Sequence, residues 1–292
     1  MRRDVAALTQ LCVVVFMLGV VPCDAQTTPL PFNANVAVRL TDGSVLVGRL
    51  AAQTVDSVMV ITVGGGVTVA RRVVSEISLI SDSEIHEGTY WPSDPNDTRV
   101  FFGPTGRTLA AGTGYISDVY LLLLNGAWGF TDRFTLGAGM SLVPLPQFFR
   151  ENVYYVAPKI ALVRGETFNL AAGALVGFSG EPGGGAFYYL AATNGHPDAS
   201  FTYGAGYAYA KGAVPGDVTL MLSGNRRVAR KLALMTENYI YWNGGKAYWA
   251  PIYGVRFIGD RLSTDLGLVN QVGHDTRPVF PGVPWLGFAL KF

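Results

Sequence analysis

Apolar and polar positions alternate along most of the chain after residue 97. In one stretch a first face carries Phe134, Leu136, Ala138, Met140 and Leu142, and the opposite face carries Thr135, Gly137, Gly139 and Ser141. The same division recurs over 154–162 and over 168–177. A period of two is the period of a β-strand, so the pattern predicts strands with one apolar face and one face of small or polar residues.

The number and spacing of these runs separate two kinds of all-β fold, because a soluble sandwich also alternates. About twelve such runs lie between Thr98 and Phe292, which is typical of a membrane barrel. Short turns ("FTDR", "RGET", "IGDR") alternate with longer connections ("PLPQFFREN", "SGEPGGG", "QVGHDTRPVFPG"). The pattern therefore predicts an antiparallel transmembrane β-barrel of about twelve strands over 98–292, with short turns on the periplasmic side.

Aromatic residues fall at both ends of the predicted strands. The predicted periplasmic ends carry Phe134, Phe168, Phe201, Phe257 and Phe292, and the predicted outer ends carry Tyr154, Tyr209, Trp242 and Trp249. Two such girdles mark the two interfaces of a bilayer. We therefore expect outer-membrane lipid to cover the outside of the barrel.

The last strand, "WLGFALKF", follows the same rule. Leu286, Phe288, Leu290 and Phe292 share one apolar face, which we expect to meet lipid. A terminal Phe after an alternating strand resembles the signal that bacterial barrel-assembly machinery reads. Phe288, Leu290 and Phe292 are the candidate assembly signal, and that machinery is an expected partner.

A smaller β-domain is predicted over 36–80, ahead of the barrel. Its short alternating runs are separated by Asp42 with Gly43 and by the three glycines 64–66, which are hairpin signals. The pattern resembles SH3-like and Sm-like small β-barrels. Such a module binds a periplasmic partner or is purely structural, and the sequence leaves both open. Linkers are predicted over 26–35 and 81–97.

The first 25 residues have the features of a secretory signal peptide: Arg2 and Arg3, an apolar run, and a small residue at Ala25. The alternatives are an anchoring helix, for which the run is short, and lipid attachment at Cys23, for which the preceding residues fit poorly. Both cysteines, Cys12 and Cys23, fall inside this segment, so no thiol chemistry is expected after its removal.

Charge and composition exclude several functional classes. Lys and Arg total 22 against 21 Asp and Glu, so nothing predicts nucleic-acid binding. His86, His196 and His274 are placed in a linker or in loops, away from serines close in sequence, so catalysis is not predicted. No spacing of histidines or carboxylates suggests a metal site, and no cofactor is expected.

Four charged residues lie on the small-residue face of the strands, where they would point into the barrel: Lys159, Glu237, Arg256 and Asp265. Arg256 and Asp265 flank the turn at Asp260 and are expected to meet diagonally across a hairpin. The four form either a structural cluster that fixes strand register or a charged constriction that selects solutes.

Four stretches give a family resemblance: "YWPSDPNDTRVFFGPTGRTLAAGTGY", "LNGAWGFTDRFTLGAG", "LALMTENYIYW" and "GFALKF". From about Val36 onward the chain resembles bacterial outer-membrane β-barrel proteins that carry a small SH3- or Sm-like periplasmic domain. The resemblance implies location and fold but no substrate and no site residue. The resulting prediction is a narrow porin-like channel or a structural envelope protein that is not an enzyme. A membrane-embedded lipid-modifying enzyme and a soluble secreted β-rich binding module are the alternatives.

Overall fold

The computed structural model describes residues 31–80, 84–86, 89–144, 151–179, 184–210, 218–273 and 276–292. The predicted signal peptide over 1–25, the first half of the linker over 26–35, and His274 lie outside these residues. The chain divides into two compact units, Met1–Tyr90 and Trp91–Phe292, which are described separately. In the described part of the chain, no helix has the length and apolar character needed to cross a membrane.

The first unit contains a five-stranded antiparallel sheet, as the hairpin signals predict. Its strands are β1 (Asn35–Leu40), β2 (Val45–Gln53), β3 (Ser57–Thr62), β4 (Gly65–Ala70) and β5 (Val74–Leu79), in the order β4-β3-β2-β1-β5. A 3-10 turn over Arg71–Val73 joins the last two strands. Buried valines and Leu50 form its core. Two short strands, β6 (Ile85–His86) and β7 (Thr89–Tyr90), pair with each other.

The β1–β2 turn illustrates how local chemistry shapes this sheet. Gly43 has φ +86°, a left-handed conformation that glycine adopts without steric cost. The backbone N–H of Ser44 donates to Oδ1 of Asp42 at 2.9 Å. The hydrogen bond from the Ser44 hydroxyl, and after it this backbone hydrogen bond, lower the pKa of the exposed Asp42 carboxyl.

The second unit is a closed barrel of twelve antiparallel strands. They are β8 (Gly114–Val119), β9 (Leu123–Thr131), β10 (Phe134–Ser141), β11 (Val153–Arg164), β12 (Phe168–Ser179), β13 (Gly184–His196), β14 (Ala199–Ala210), β15 (Val218–Ala229), β16 (Leu232–Asn243), β17 (Lys246–Ile258), β18 (Leu262–Val269) and β20 (Val283–Lys291). Each strand pairs with the next along the chain, and β20 returns to β8. A short strand, β19 (Val272–Gly273), pairs with β17.

The predicted faces of the strands are confirmed. On β11, Tyr155, Lys159 and Ala161 are buried, whereas Ile160 and Leu162, on the opposite face, are exposed. The two aromatic girdles also form, because exposed rings stand at both ends of the strands. Phe168, Phe201, Phe257 and Phe292 are exposed at the short-turn end, and Tyr209, Trp242 and Trp249 at the other. The barrel therefore presents an apolar band between two aromatic rims, the exterior of a transmembrane barrel.

The barrel wall begins at Gly114, which corrects the predicted start at Thr98. Residues 91–97, predicted to be linker, belong with 98–109 to a segment inside the barrel, as shown below. A turn-rich, partly charged composition is typical of a solvated linker, but it also suits an irregular chain that packs against a polar lumen. The local pattern does not distinguish these two environments.

Candidate functional site

A stretch of irregular chain, residues 91–109, occupies the short-turn half of the barrel; we call it the plug segment. It contacts inward-facing side chains on strands all round the wall, from Tyr115 on β8 to Trp285 on β20. Many of its side chains are polar and nevertheless buried: Asp94, Asn96, Thr98, Arg99, Thr105, Arg107 and Thr108. Because those side chains meet the wall instead of water, the lumen in this half is filled.

Arg256 on β17 is the centre of the contacts between the wall and the plug segment. Its guanidinium donates to both carboxylate oxygens of Asp265 on β18, at 2.6 and 2.8 Å. Its Nη1 donates to Oδ2 of Asp94 at 2.9 Å and to the carbonyl of Asn96 at 2.8 Å. Its Nη2 also donates to the carbonyl of Val100 at 2.5 Å. The guanidinium is 2% exposed, so this buried cation is balanced by one carboxylate from the wall and one from the plug segment.

Glu237 on β16 receives the plug segment at its tip. Oε2 accepts the backbone N–H groups of Phe101 and Phe102, at 2.8 and 3.1 Å. Oε1 accepts the hydroxyl of Tyr239 at 2.8 Å. The tip turns at Gly103, where an added Cβ would stand 2.7 Å from the Tyr239 hydroxyl. Glycine therefore permits the close approach that brings these N–H groups to the carboxylate.

The other strands hold the backbone of the plug segment through single polar groups. Lys159 donates to the carbonyl of Thr98 at 2.9 Å. The hydroxyls of Thr193 and Thr135 accept the backbone N–H groups of Gly106 and Leu109, at 2.8 and 3.0 Å. Among the described residues, the plug segment has no neighbouring strand with which to form a ladder. These backbone groups are hydrogen-bonded by inward-facing side chains of the wall instead.

Both ends of the plug segment are fixed at the short-turn rim. At its start, Arg227 donates to the carbonyl of Pro92 at 2.7 Å, pairs with Asp198 at 3.0 Å, and lies over the ring of Trp91. At its exit, the backbone N–H of Ala111 donates to Asp132 at 3.0 Å. That hydrogen bond and an ion pair with Arg164 lower the pKa of Asp132.

A small cavity lies between the plug segment and the barrel wall. A cavity of about 10 Å³ is lined by Asp94, Asp97, Arg99, Val100, Thr105, Arg107, Pro197, Asn225, Met235 and Arg256. A volume of that size corresponds to about one water molecule. Next to the described plug residues, this cavity is too small for a solute larger than water.

The outer half of the lumen is lined by aromatic rings. Tyr155, Phe187 and Tyr189 point inward, and the rings of Tyr241 and Tyr248 stack at 5.4 Å. Inward glycines accept some of these rings: a Cβ at Gly139 would stand 2.4 Å from the ring of Tyr155, and one at Gly173 would stand 2.3 Å from the hydroxyl of Tyr189. Because glycine has no side chain, the rings can lie against the wall, as expected where glycines make room in a lumen.

The four charged residues singled out from the sequence all point inward and are buried. They do not form one cluster, because only Arg256 and Asp265 contact each other. These two residues are directly opposite in the strand register, which corrects the predicted diagonal contact. Glu237 and Lys159 instead bind separate parts of the plug segment.

Asp94 and the rest of the plug segment were missed by the sequence argument. The available signal was a break in alternation: "TRVFFGPTGRTLA" contains no period-two run, although it lies in the predicted barrel. The predicted assembly residues lie on the outer face of β20. Leu290 and Phe292 are about half exposed, and the ring of Phe292 stacks on Trp128 at 5.9 Å.

The structure describes two of the three histidines, His86 and His196. His86 lies in β6 and His196 at the end of β13, in different units. No group of three or more His, Cys, Asp or Glu residues among the described positions could hold a metal ion.

The strand order, closure and apolar exterior define the class: this is a transmembrane antiparallel β-barrel of the outer-membrane type, with a separate five-stranded sheet. No protein-family model matches the chain. No curated protein matches it either.

Solved structures similar to the chain are outer-membrane barrels of low sequence identity. A KdgM porin in complex with disordered oligogalacturonate has 10% identity and a TM-score of 0.46, covering 62% of this chain and 96% of its own. OmpT of Vibrio cholerae has 11% identity and a TM-score of 0.36, covering 89% and 95%. Salmonella typhi OmpF in complex with daunomycin has 7% identity and a TM-score of 0.34, covering 89% and 95%. At these TM-scores the likeness carries no functional argument, and the class rests on the barrel itself.

Proposed function

We propose that this protein is a narrow porin-like barrel of the bacterial outer membrane that is closed at rest by its plug segment. One observation carries the proposal: Arg256, Glu237 and Lys159, the inward groups that would line a charged constriction, are all hydrogen-bonded to the plug segment. A charge that binds the plug segment is not available to a passing ion. The resting barrel is therefore closed, and any solute selection follows displacement of the plug segment.

The chemistry of the contacts is compatible with displacement. Most contacts between the wall and the plug segment are hydrogen bonds and ion pairs, which water can replace when the segment leaves. Apolar contact is local, centred on Val100 and Phe101 against Met235 and Ile252. A polar interface of this kind favours a segment that moves as a gate over one that belongs permanently to the core.

Location and partners complete the proposal. The short-turn side faces the periplasm, where the 36–80 domain resides and meets a periplasmic partner. Outer-membrane lipid covers the apolar band, and the barrel-assembly machinery inserts the chain through β20 and the Phe292 that follows it. No catalytic role is assigned to the protein.

A reversible covalent lock tests the gate. Leu109→Cys and Thr135→Cys place two thiols where the plug segment meets β10, since the Leu109 N–H lies 3.0 Å from the Thr135 hydroxyl. The only native cysteines, Cys12 and Cys23, are in the predicted signal peptide, so no other thiol competes. The oxidised chain is compared with the reduced chain in planar lipid bilayers, with each single-cysteine variant as control.

The expected result is brief conductance steps from wild type and from the reduced double variant, and none from the oxidised double variant. Both single-cysteine variants behave as wild type under oxidation. A steady conductance that oxidation leaves unchanged contradicts the proposal, because ions then pass a plug segment that cannot move.

A further inference from the structure

Among the described strands of the barrel wall, β8 is the shortest, so the wall is low at the β8–β9 hairpin. The last ladder pair of β8 joins Val119 to Gly287, and the N–H of Tyr120 then donates to the carbonyl of Leu286 at 3.0 Å. Phe292 belongs to the aromatic girdle at the short-turn end, and Leu286 precedes it by six residues (292 − 286). Six residues of a tilted strand correspond to about 15 Å of height. The apolar band of such barrels is about 25 Å tall, so this turn ends within it.

The composition of the β8–β9 turn fits a position inside the bilayer. Tyr120 and Leu121 have φ +59° and +60°, which tight hairpin turns require and which Asn or Gly normally supplies. Here the turn is apolar, within the run "VYLLLL" from Val119 to Leu124. Leu121 is 69% exposed. This backbone conformation normally favours Asn or Gly. Apolar residues at the tip are explained if lipid surrounds the turn.

Above this turn, the exposed edge of β20 carries a proline. Pro284 has no N–H to leave unpaired there, and its carbonyl accepts the Tyr120 hydroxyl at 2.6 Å. A proline on an exposed edge limits pairing with another strand. The low wall is therefore a terminated edge rather than an unfinished ladder.

Two polar atoms without partners lie on either side of this low wall. Asp118 points outward between Leu124 and Phe288, and its Oδ1 is buried with no hydrogen-bond partner. Trp285 points inward beside Phe101 and Tyr120, and its Nε1 is likewise buried and unpartnered. A carboxylate on the lipid side of a membrane strand is a functional-site candidate, because it is costly to keep there.

We propose that the low wall at the β8–β9 turn is a lateral opening that admits an amphiphile from the bilayer. The alkyl chain passes over Leu121 toward Trp285, above the plug segment. A hydrogen-bond-donating head, such as an ammonium group, binds the Asp118 carboxylate at the mouth. The inference rests on the membrane placement of the barrel but does not require the plug segment to open.

Quenching of single tryptophans by brominated acyl chains tests the opening. The first full-length chain keeps Trp285 alone, with Trp91, Trp128, Trp242 and Trp249 changed to Phe. A matched chain carries Phe187→Trp as its only tryptophan, since Phe187 also points inward but stands behind the taller strands β12 to β14. A third chain keeps only Trp128, which faces outward beside Phe292.

We expect the Trp285 chain to lose as much emission as the Trp128 chain, and the chain with tryptophan at 187 to lose clearly less. If Trp128 is quenched while Trp285 matches position 187, the lateral opening is wrong and the membrane placement stands. If Trp128 itself is not quenched, the membrane placement fails as well.

A second measurement tests the head group. A nitroxide-bearing long-chain alkylamine is titrated onto the Trp285 chain with and without Asp118→Leu, and the same chain with a carboxylate head is the control. Loss of a charge-assisted hydrogen bond predicts that at least about tenfold more amine is needed for half-maximal quenching in the variant. Equal quenching by both heads, unaffected by Asp118→Leu, overturns the role of Asp118 and the proposal with it.

Discussion

Arg256 of the barrel wall donates a 2.9 Å hydrogen bond to Asp94 of the plug segment, across 162 residues of sequence. The same guanidinium binds Asp265 on the adjacent strand, so one cation joins the wall hairpin to the chain inside it. This arrangement links the stability of the barrel to the position of the plug segment.

Removing that cation is expected to destabilise the folded barrel strongly. Arg256→Gln leaves Asp94 and Asp265 facing each other in a buried space, and breaking a buried pair typically costs about 3–5 kcal/mol. Thermal unfolding in detergent measures the loss. Arg226→Gln, at an exposed outward position on β15, is the control and is expected to stay within about 0.5 kcal/mol of wild type. Equal melting temperatures for both variants contradict a central role for Arg256.

Truncating Glu237 is expected to loosen the tip of the plug segment. Glu237→Ala removes the acceptor for the N–H groups of Phe101 and Phe102, and each unpaired buried group costs about 1–3 kcal/mol. More frequent conductance steps in planar bilayers, with a lower melting temperature, are the expected readouts. Glu166→Ala, at an exposed turn position, controls for loss of a carboxylate. If the variant has a lower melting temperature but no additional conductance steps, Glu237 has no role in gating.

Two glycines on one strand are expected to respond differently to the same change. Gly173→Ala places a methyl group 2.3 Å from the Tyr189 hydroxyl and forces that ring from the wall, a crowding effect of about 1–3 kcal/mol. Gly177→Ala meets nothing closer than 3.9 Å and should be tolerated. The melting temperatures of the two variants check this. Equal melting temperatures would mean that the ring does not lie against Gly173.

The terminal aromatic residue is expected to matter more for assembly than for stability. Phe292→Ala removes the ring that stacks on Trp128, which accounts for about 0.5–1.5 kcal/mol. If the residue is also part of an assembly signal, the fraction of chains reaching the outer membrane falls much further than this loss predicts. Phe280→Ala, at a fully exposed loop position, is the control. If the fraction of chains that reach the outer membrane falls only in proportion to the lost stability, the ring has a purely structural role.

Closure of the barrel has a simple electrophoretic consequence. A closed ladder of twelve strands resists mild detergent, so the unboiled protein should migrate differently from the boiled protein. The isolated protein should also require detergent to remain in solution, because Leu290, Phe257 and their outward neighbours are exposed. Identical migration together with solubility in plain buffer would favour a secreted β-rich module.

The wall of the barrel could be predicted from the sequence because each strand carries its own information. Side chains on a strand alternate between two faces, so Phe168 and Leu170 against Asn169 and Ala171 indicate a lipid side and a lumen side without any partner strand. The girdles follow from the same local rule, since each ring needs only its position along one strand. The inward direction of Arg256 and Asp265 was predictable for this reason.

What fills the barrel was decided only by the tertiary structure. Residues 91–109 have no period, because their backbone is held by single side chains on many strands rather than by one ladder. Asp94 meets Arg256 only once the sheet has closed, and no local pattern encodes a contact across 162 residues. The low wall at Tyr120 likewise depends on the register between β8 and β20. Strand direction is a property of neighbouring residues, whereas lumen contents and wall height are properties of the closed barrel.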